Sequence, residues 1–84
     1  MIRKAYSIRD KKTEVFNQPI FAVNDEDVKR TLTMYMNQQK QDLMAQYPED
    51  YTLYWIGQFD DHNGGLEHLH PVEVCELTTL VKED

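Results

Sequence analysis

Disulfides, long apolar runs and phosphate-binding glycine loops are all missing from this chain of 84 residues. Because Cys75 is the single cysteine, no intramolecular disulfide can form, which favours a reducing setting. No stretch approaches the roughly 18 apolar residues of a membrane span, and no basic start followed by a long apolar run indicates export. We therefore expect a soluble cytoplasmic protein with no membrane segment.

The chain is also too short for a large catalytic cleft. A protein of this size buries only about 60% of the surface that its unfolded form exposes, so we expect one domain over residues 1–84, with oligomerisation as a source of further stability. Hydroxyl-nucleophile, phosphate-loop and zinc-protease motifs are absent. The sequence predicts a protein that is not an enzyme, with no catalytic residues and no cofactor.

One group of residues has the composition of a metal site. His68 and His70 would face the same side of a strand, with Asp60, Asp61 and His62 across a turn. The group lacks the four-ligand spacing of structural zinc and has no partner cysteines. We interpret the histidines as exposed side chains and the aspartates as turn residues, and we expect no metal site.

The net charge of −6 hides an asymmetry along the chain. Residues 1–12 carry five bases and one acid, whereas residues 41–84 carry ten acids and one base. Such polarity suggests an interaction surface, because charge fields steer partners toward a protein. A solvated charged surface without a partner explains the charge equally well.

Alternating hydrophobicity and turn residues predict four strands. The segments are 2–9, Ile20–Val23, Tyr51–Phe59 and Leu66–His70. Asn63-Gly64 lies between the last two and predicts an antiparallel hairpin. The third segment is apolar on both faces, which predicts a central strand that is covered by a helix on one side and by another layer, such as a partner subunit, on the other.

An amphipathic helix is predicted between the second and third strands. Asn24 or Asp25 caps it, and its apolar face is formed by Val28, Leu32, Tyr35 and Met36. The pattern extends to Asn37, while residues 38–46 fit either helix or loop, and residues 72–81 fit either helix or strand. The order β-β-α-β-β plus a short C-terminal helix predicts an α+β fold with a mostly antiparallel sheet.

Nine aromatic residues are more than a core of this size needs. We interpret Phe21, Trp55 and Phe59 as core residues. Tyr6, with Tyr51 and Tyr54, would form a stacking platform for unpaired bases beside basic side chains, although packing of tyrosine rings in the core is the alternative. The predicted DNA-contacting residues are Arg3, Lys4, Tyr6, Arg9, Lys11 and Lys12.

Three segments carry a resemblance to a known family. They are Tyr6-Ser7-Ile8-Arg9-Asp10, the stretch from Tyr47 to Tyr54, and the stretch from Ile56 to Asp61. These segments resemble the small nonstructural protein of gokushoviruses, which are single-stranded DNA bacteriophages of the microvirus family. The resemblance implies a DNA-binding, non-capsid protein that helps to move replication from duplex copying to single-strand synthesis and packaging. It implies no catalytic residues.

We therefore expect a single-stranded DNA-binding accessory factor for replication or packaging in the host cytoplasm. A homo-oligomer is expected, with a dimer favoured. The alternative is a protein–protein interaction module that docks a host or viral replication protein through its acidic half or a sheet edge. The second apolar face of Tyr51–Phe59 would serve as a homodimer interface under either hypothesis.

Overall fold

A computed structural model describes residues 1–81 as an α+β fold with an antiparallel sheet. The strands and helices are β1 (Ile2–Asp10), β2 (Val15–Phe16), β3 (Ile20–Ala22), α1 (Asp25–Gln38), α2 (Leu43–Gln46), β4 (Tyr51–Asp60) and β5 (Gly65–Glu76). A 3-10 turn at Pro48–Asp50 precedes β4, and another at Leu77–Leu80 follows β5. The predicted fold class is confirmed. No helix within the described range is long and apolar enough to cross a membrane.

The sheet has β1 and β4 at its centre and β5 at one edge. The short strands β2 and β3 follow each other along the other edge, where both pair with β1. All of these pairings are antiparallel. The hairpin between β4 and β5 forms around Asn63-Gly64 as predicted, and Gly64 supplies the positive φ of 76° that the turn requires.

The core lies between α1 and one face of the sheet. Asn24 caps α1, because its side-chain oxygen accepts a hydrogen bond from the Asp27 backbone N–H at 2.9 Å. The buried members of the core are Tyr6, Ile8, Ala22, Val28, Leu32, Met36, Tyr51, Leu53 and Leu77. Burying one large apolar side chain contributes about 1.5–3 kcal/mol, so this cluster is the main source of stability.

The two segments that the sequence left open have clear structures. Helix α1 ends at Gln38, and the short helix α2 is tied back to it because the Tyr35 hydroxyl donates to Asp42 Oδ2 at 2.6 Å. Strand β5 runs well past His70, through Pro71, to Glu76. The short C-terminal helix is therefore the 3-10 turn after Glu76. The longer strand forms because β4 offers partners as far as the Thr52–Glu76 pair.

Candidate nucleic-acid interface

The two faces of the sheet differ in what covers them. On one face, Val28, Leu32 and Met36 of α1 pack in the core. We call the opposite side the open face, and register places its side chains in four rows across the strands. In order along β1 the rows are Arg3–Phe59–Leu66, Phe21–Ala5–Gly57–His68, Ser7–Tyr54–Glu73 and Phe16–Arg9–Thr52–Glu76. The open face thus combines aromatic rings with two arginines.

Four aromatic rings on the open face meet in two pairs. Phe16 contacts Tyr54 with ring centroids 5.4 Å apart, and Phe21 contacts Phe59 at 5.5 Å. Both pairs are tilted or edge-on, as aromatic pairs prefer. Phe16 is nevertheless 40% exposed and Phe21 46% exposed, while the other two rings are half-buried. The pairs hold the rings in place and leave surface free for a ligand.

The prediction that Phe21 and Phe59 are core residues is wrong, because neither belongs to the core cluster. Phe21 lies between Ile20 and Ala22 on β3, and those two neighbours face the core instead. Because strand side chains alternate, the ring of Phe21 must point to the open face. Trp55 does pack against the core, as predicted. Strict alternation within the three residues of β3 is the signal that could have identified Phe21.

Tyr6 and Lys4 lie on the core side of β1, away from the open face. The Tyr6 hydroxyl donates to Asp25 Oδ1 at 2.5 Å, and Lys4 Nζ lies 3.3 Å from the same oxygen. Lys4 also lies 4.4 Å above the Trp55 ring. Tyr6 is 0% exposed, and burial together with its bond to Asp25 raises its pKa well above the ordinary value. A ring with no exposed surface has no face on which a base could stack.

Two of the predicted cations are held in ion pairs by distant acids. Arg3 Nε lies 3.0 Å from Asp61 Oδ2, and the N-terminal ammonium lies 2.8 Å from the other oxygen. These hydrogen bonds lower the pKa of Asp61. Lys11 Nζ lies 2.6 Å from Glu76 Oε2, and its hydrogen bond lowers the pKa of that carboxyl. Acids at positions 61 and 76 therefore neutralise the N-terminal ammonium and two of the five basic side chains of residues 1–12.

Arg9 and Lys12 are the least neutralised of the predicted cations. Among residues 1–81, Arg9 has one ion-pair contact, a long one of 4.0 Å with Glu14, and its guanidinium lies 6.0 Å from the Phe16 ring. Lys12 makes no ion pair with any of residues 1–81 and is exposed in the turn after β1. The structure thus brings Arg3 and Arg9 together with the aromatic rings, and it places Lys12 beyond the Arg9 end of that face.

Histidine and acidic side chains do not gather into a metal-binding group in the described part of the chain. Within residues 1–81, no three His, Cys, Asp or Glu side chains lie close enough to hold an ion. His68 instead lies on the open face, opposite Gly57. The features of this face that suit a ligand are therefore its rings, its arginines and its shape.

Comparison with known families identifies the group to which this chain belongs. The model of the family described as Phage ORF5 protein matches residues 3–80, a span that includes α1, every residue of the open face and all of the sheet except Ile2. Searches of curated proteins and of solved structures found no match. The chain therefore belongs to the Phage ORF5 protein family and is a phage protein.

Proposed function

We propose that this protein is a non-enzymatic, nonstructural phage protein that binds single-stranded DNA on the open face. The observation that supports this most is the placement of four partly exposed aromatic rings on the side of the sheet that α1 does not cover, with Arg9 beside Phe16 and Arg3 beside Phe59. Aromatic rings bind unpaired bases by stacking, and nearby cations bind the phosphates. The protein would act as an accessory factor in genome replication or packaging in the host cytoplasm, as the resemblance to gokushoviruses implies.

Stacking, rather than charge, supplies most of the proposed affinity. Arg3 and Lys11 are already paired with carboxylates, which leaves Arg9 and Lys12 as the main phosphate contacts. A duplex hides the faces of its bases and is bound mainly through its phosphates. Because the chain carries a net charge of −6, we expect it to prefer single strands to duplexes.

The resulting contact set differs from the one expected from sequence. Arg3, Arg9, Lys11 and Lys12 stay near the open face or at its ends, whereas Lys4 and Tyr6 support α1 on the other side. The stacking role moves from Tyr6 to the four open-face rings. The rings are Phe16, Phe21, Tyr54 and Phe59.

A second candidate function uses the edge strand β5. This strand has 12 residues and exposes Leu66 (72%) and Val72 (51%) along a free edge of the sheet. Such an edge accepts a further strand from a second copy of the chain or from a replication protein. A homodimer formed there would extend the open face into a sheet of twice the width. Light scattering that gives a monomer mass at working concentrations would exclude the homodimer.

Binding and its salt dependence test the main proposal together. Fluorescence anisotropy of a labelled single-stranded oligonucleotide should show binding at low salt, with weaker binding to the matched duplex. With about two phosphate contacts, the slope of log affinity against log salt should be about −1.4, since each contact on a single strand contributes about −0.7. Absence of binding at low salt, or equal binding to the duplex, would contradict the proposal.

A further inference from the structure

The second row of the open face is low in its middle, and we call this low part the trough. Its ends are Phe21 and His68, and its floor is formed by Ala5 and Gly57, which pair across β1 and β4. A Cβ atom at Gly57 would collide with the backbone oxygen of Glu67. Only glycine therefore fits at this position while β5 pairs so closely, and the floor stays low because neither residue extends past a Cβ atom.

A pocket of about 240 Å³ lies over this floor. Apolar side chains form most of its walls, chiefly those of Phe21, Ile56 and Leu66. Pockets for drug-sized ligands occupy about 300–1,000 Å³, so this volume suits one planar ring system rather than a whole nucleotide. The exposed ring of Phe21 supplies a stacking surface at one side.

We propose that the trough holds a single unpaired base of the bound strand, separately from the bases that stack on Phe16 and Tyr54. This inference rests on the proposed DNA binding and specifies which part of the open face binds which bases. The trough is continuous with the proposed interface, because Tyr54 lies one row along β4 and Arg3 lies one row in the other direction. A base is favoured over a peptide side chain because the exposed ring of Phe21 offers it a stacking face, and because Arg9, which is less neutralised than Arg3, lies on the same open face two rows away.

The spacing of the rows determines how the strand must bind. Adjacent rows are two residues apart along β1, which is roughly 7 Å. Stacked bases in one strand of a duplex are about 3.4 Å apart. A strand that places one base in the trough and its neighbour on Tyr54 must therefore unstack those two bases. Most of the lining is apolar, with Glu67 and His68 as its polar members, so stacking rather than hydrogen bonding should dominate and the trough should accept any base.

Filling the trough provides the test. In Ala5→Leu the added atoms occupy the pocket. Phe21→Ala instead removes one wall of the pocket. Because Phe21 is nearly half exposed, this second variant should fold even if Ala5→Leu is unstable. Anisotropy is measured with labelled hexathymidine and with six versions that each lack one base. For the wild-type protein, one missing base should weaken binding about tenfold, which corresponds to about 1.4 kcal/mol.

The effect of a substitution in the trough and the effect of the one sensitive missing base should not add. Ala5→Leu and Phe21→Ala should each bind hexathymidine about tenfold more weakly, and they should lose their sensitivity to that one missing base. Phe16→Ala, on the same face but outside the trough, should also bind more weakly yet keep that sensitivity. Thermal unfolding of each variant confirms that it is folded under the assay conditions.

The outcomes separate the two proposals. If wild-type protein binds none of the oligonucleotides, the DNA-binding function itself is wrong. If it binds hexathymidine but Ala5→Leu and Phe21→Ala bind equally well, or stay sensitive to the same missing base, the function stands and the trough proposal is overturned.

Discussion

The two faces of the sheet have similar apolar patterns but differ in how far their side chains are buried. On the face covered by α1, Tyr6 and Leu53 are 0% exposed and pack with Val28 of the helix. On the open face, Phe16 and Phe21 keep 40% and 46% of their surface. Both faces are rich in rings, so composition does not distinguish them. What differs is that rings on the open face contact each other and remain available to a ligand, which is the property of a binding surface.

The polar residues of β1 are also divided between the two faces of the sheet. On the core side, Lys4 and Tyr6 both bind Asp25, at the N-terminus of α1, and thereby fix the helix to the sheet. On the open face, Arg3 and Arg9 lie beside aromatic rings. Neighbouring residues of one strand thus divide between fixing the helix to the sheet and lining the open face.

Truncating one apolar side chain on each face should give the largest difference in stability. Leu53→Ala removes a fully buried side chain, and we expect it to lower the free energy of unfolding by about 2–5 kcal/mol. Phe21→Ala should cost far less, because the ring is nearly half exposed. Denaturant unfolding of both variants measures the difference. Equal losses would show that the open face is part of the stabilising core.

Removal of a stacking ring should produce the converse pattern. Phe16→Ala should weaken binding of single-stranded DNA by about 1–3 kcal/mol, the usual contribution of one base–ring stack, with a small change in unfolding. Met34→Ala is the matched control, because Met34 is 55% exposed on α1 and faces away from the open face. Anisotropy titrations compare the two variants. A larger loss of affinity for Met34→Ala would place the binding surface on the helix.

Acid should weaken the attachment of α1 through Asp25. The hydrogen bonds from Tyr6 and Lys4 hold the pKa of this carboxyl below its ordinary value. The unfolded chain therefore takes up the proton first as the pH falls, so the stabilisation is complete at neutral pH and is lost as the pH drops through and below the ordinary carboxyl range.

Asp25→Asn tests this smallest of the effects. At pH 7 the variant should be less stable by under about 1 kcal/mol, since the carboxylate is partly exposed to solvent. The difference between variant and wild type should shrink as the pH is lowered, because the wild-type carboxyl becomes neutral too. Thermal unfolding at several pH values measures it. A difference that grows toward acid would contradict the assigned role.

Local signals in the sequence were enough for most elements of the fold. Alternation predicted β1 and β4, Asn63-Gly64 predicted the hairpin, and Asn24 was correctly named as a cap for α1. The path of β5 beyond His70 could not be decided from the sequence, which fits either helix or strand over residues 72–81, because it depends on the length of the partner strand rather than on the residues of β5. Proline is tolerated there since β5 is an edge strand.

The candidate site was harder to predict, because it depends on contacts between distant residues. Counting charges along the chain marked residues 1–12 as basic, but Arg3 pairs with an acid 58 positions away and Lys11 with one 65 positions away. Hydrophobicity placed Phe21 in the core, and only its position on β3 reveals the open face. The basic segment and the open face therefore overlap without being the same.

The central claim is that single-stranded DNA contacts the open face and leaves the covered face unchanged. Aromatic carbon–proton NMR spectra, recorded while unlabelled oligothymidine is added, report on each ring separately. The account predicts shifts for the rings of the open face, with Phe16 and Phe21 moving most, and no shift for the buried rings of Tyr6 and Tyr51. Shifts confined to the covered side, or none at all at saturating DNA, would contradict it.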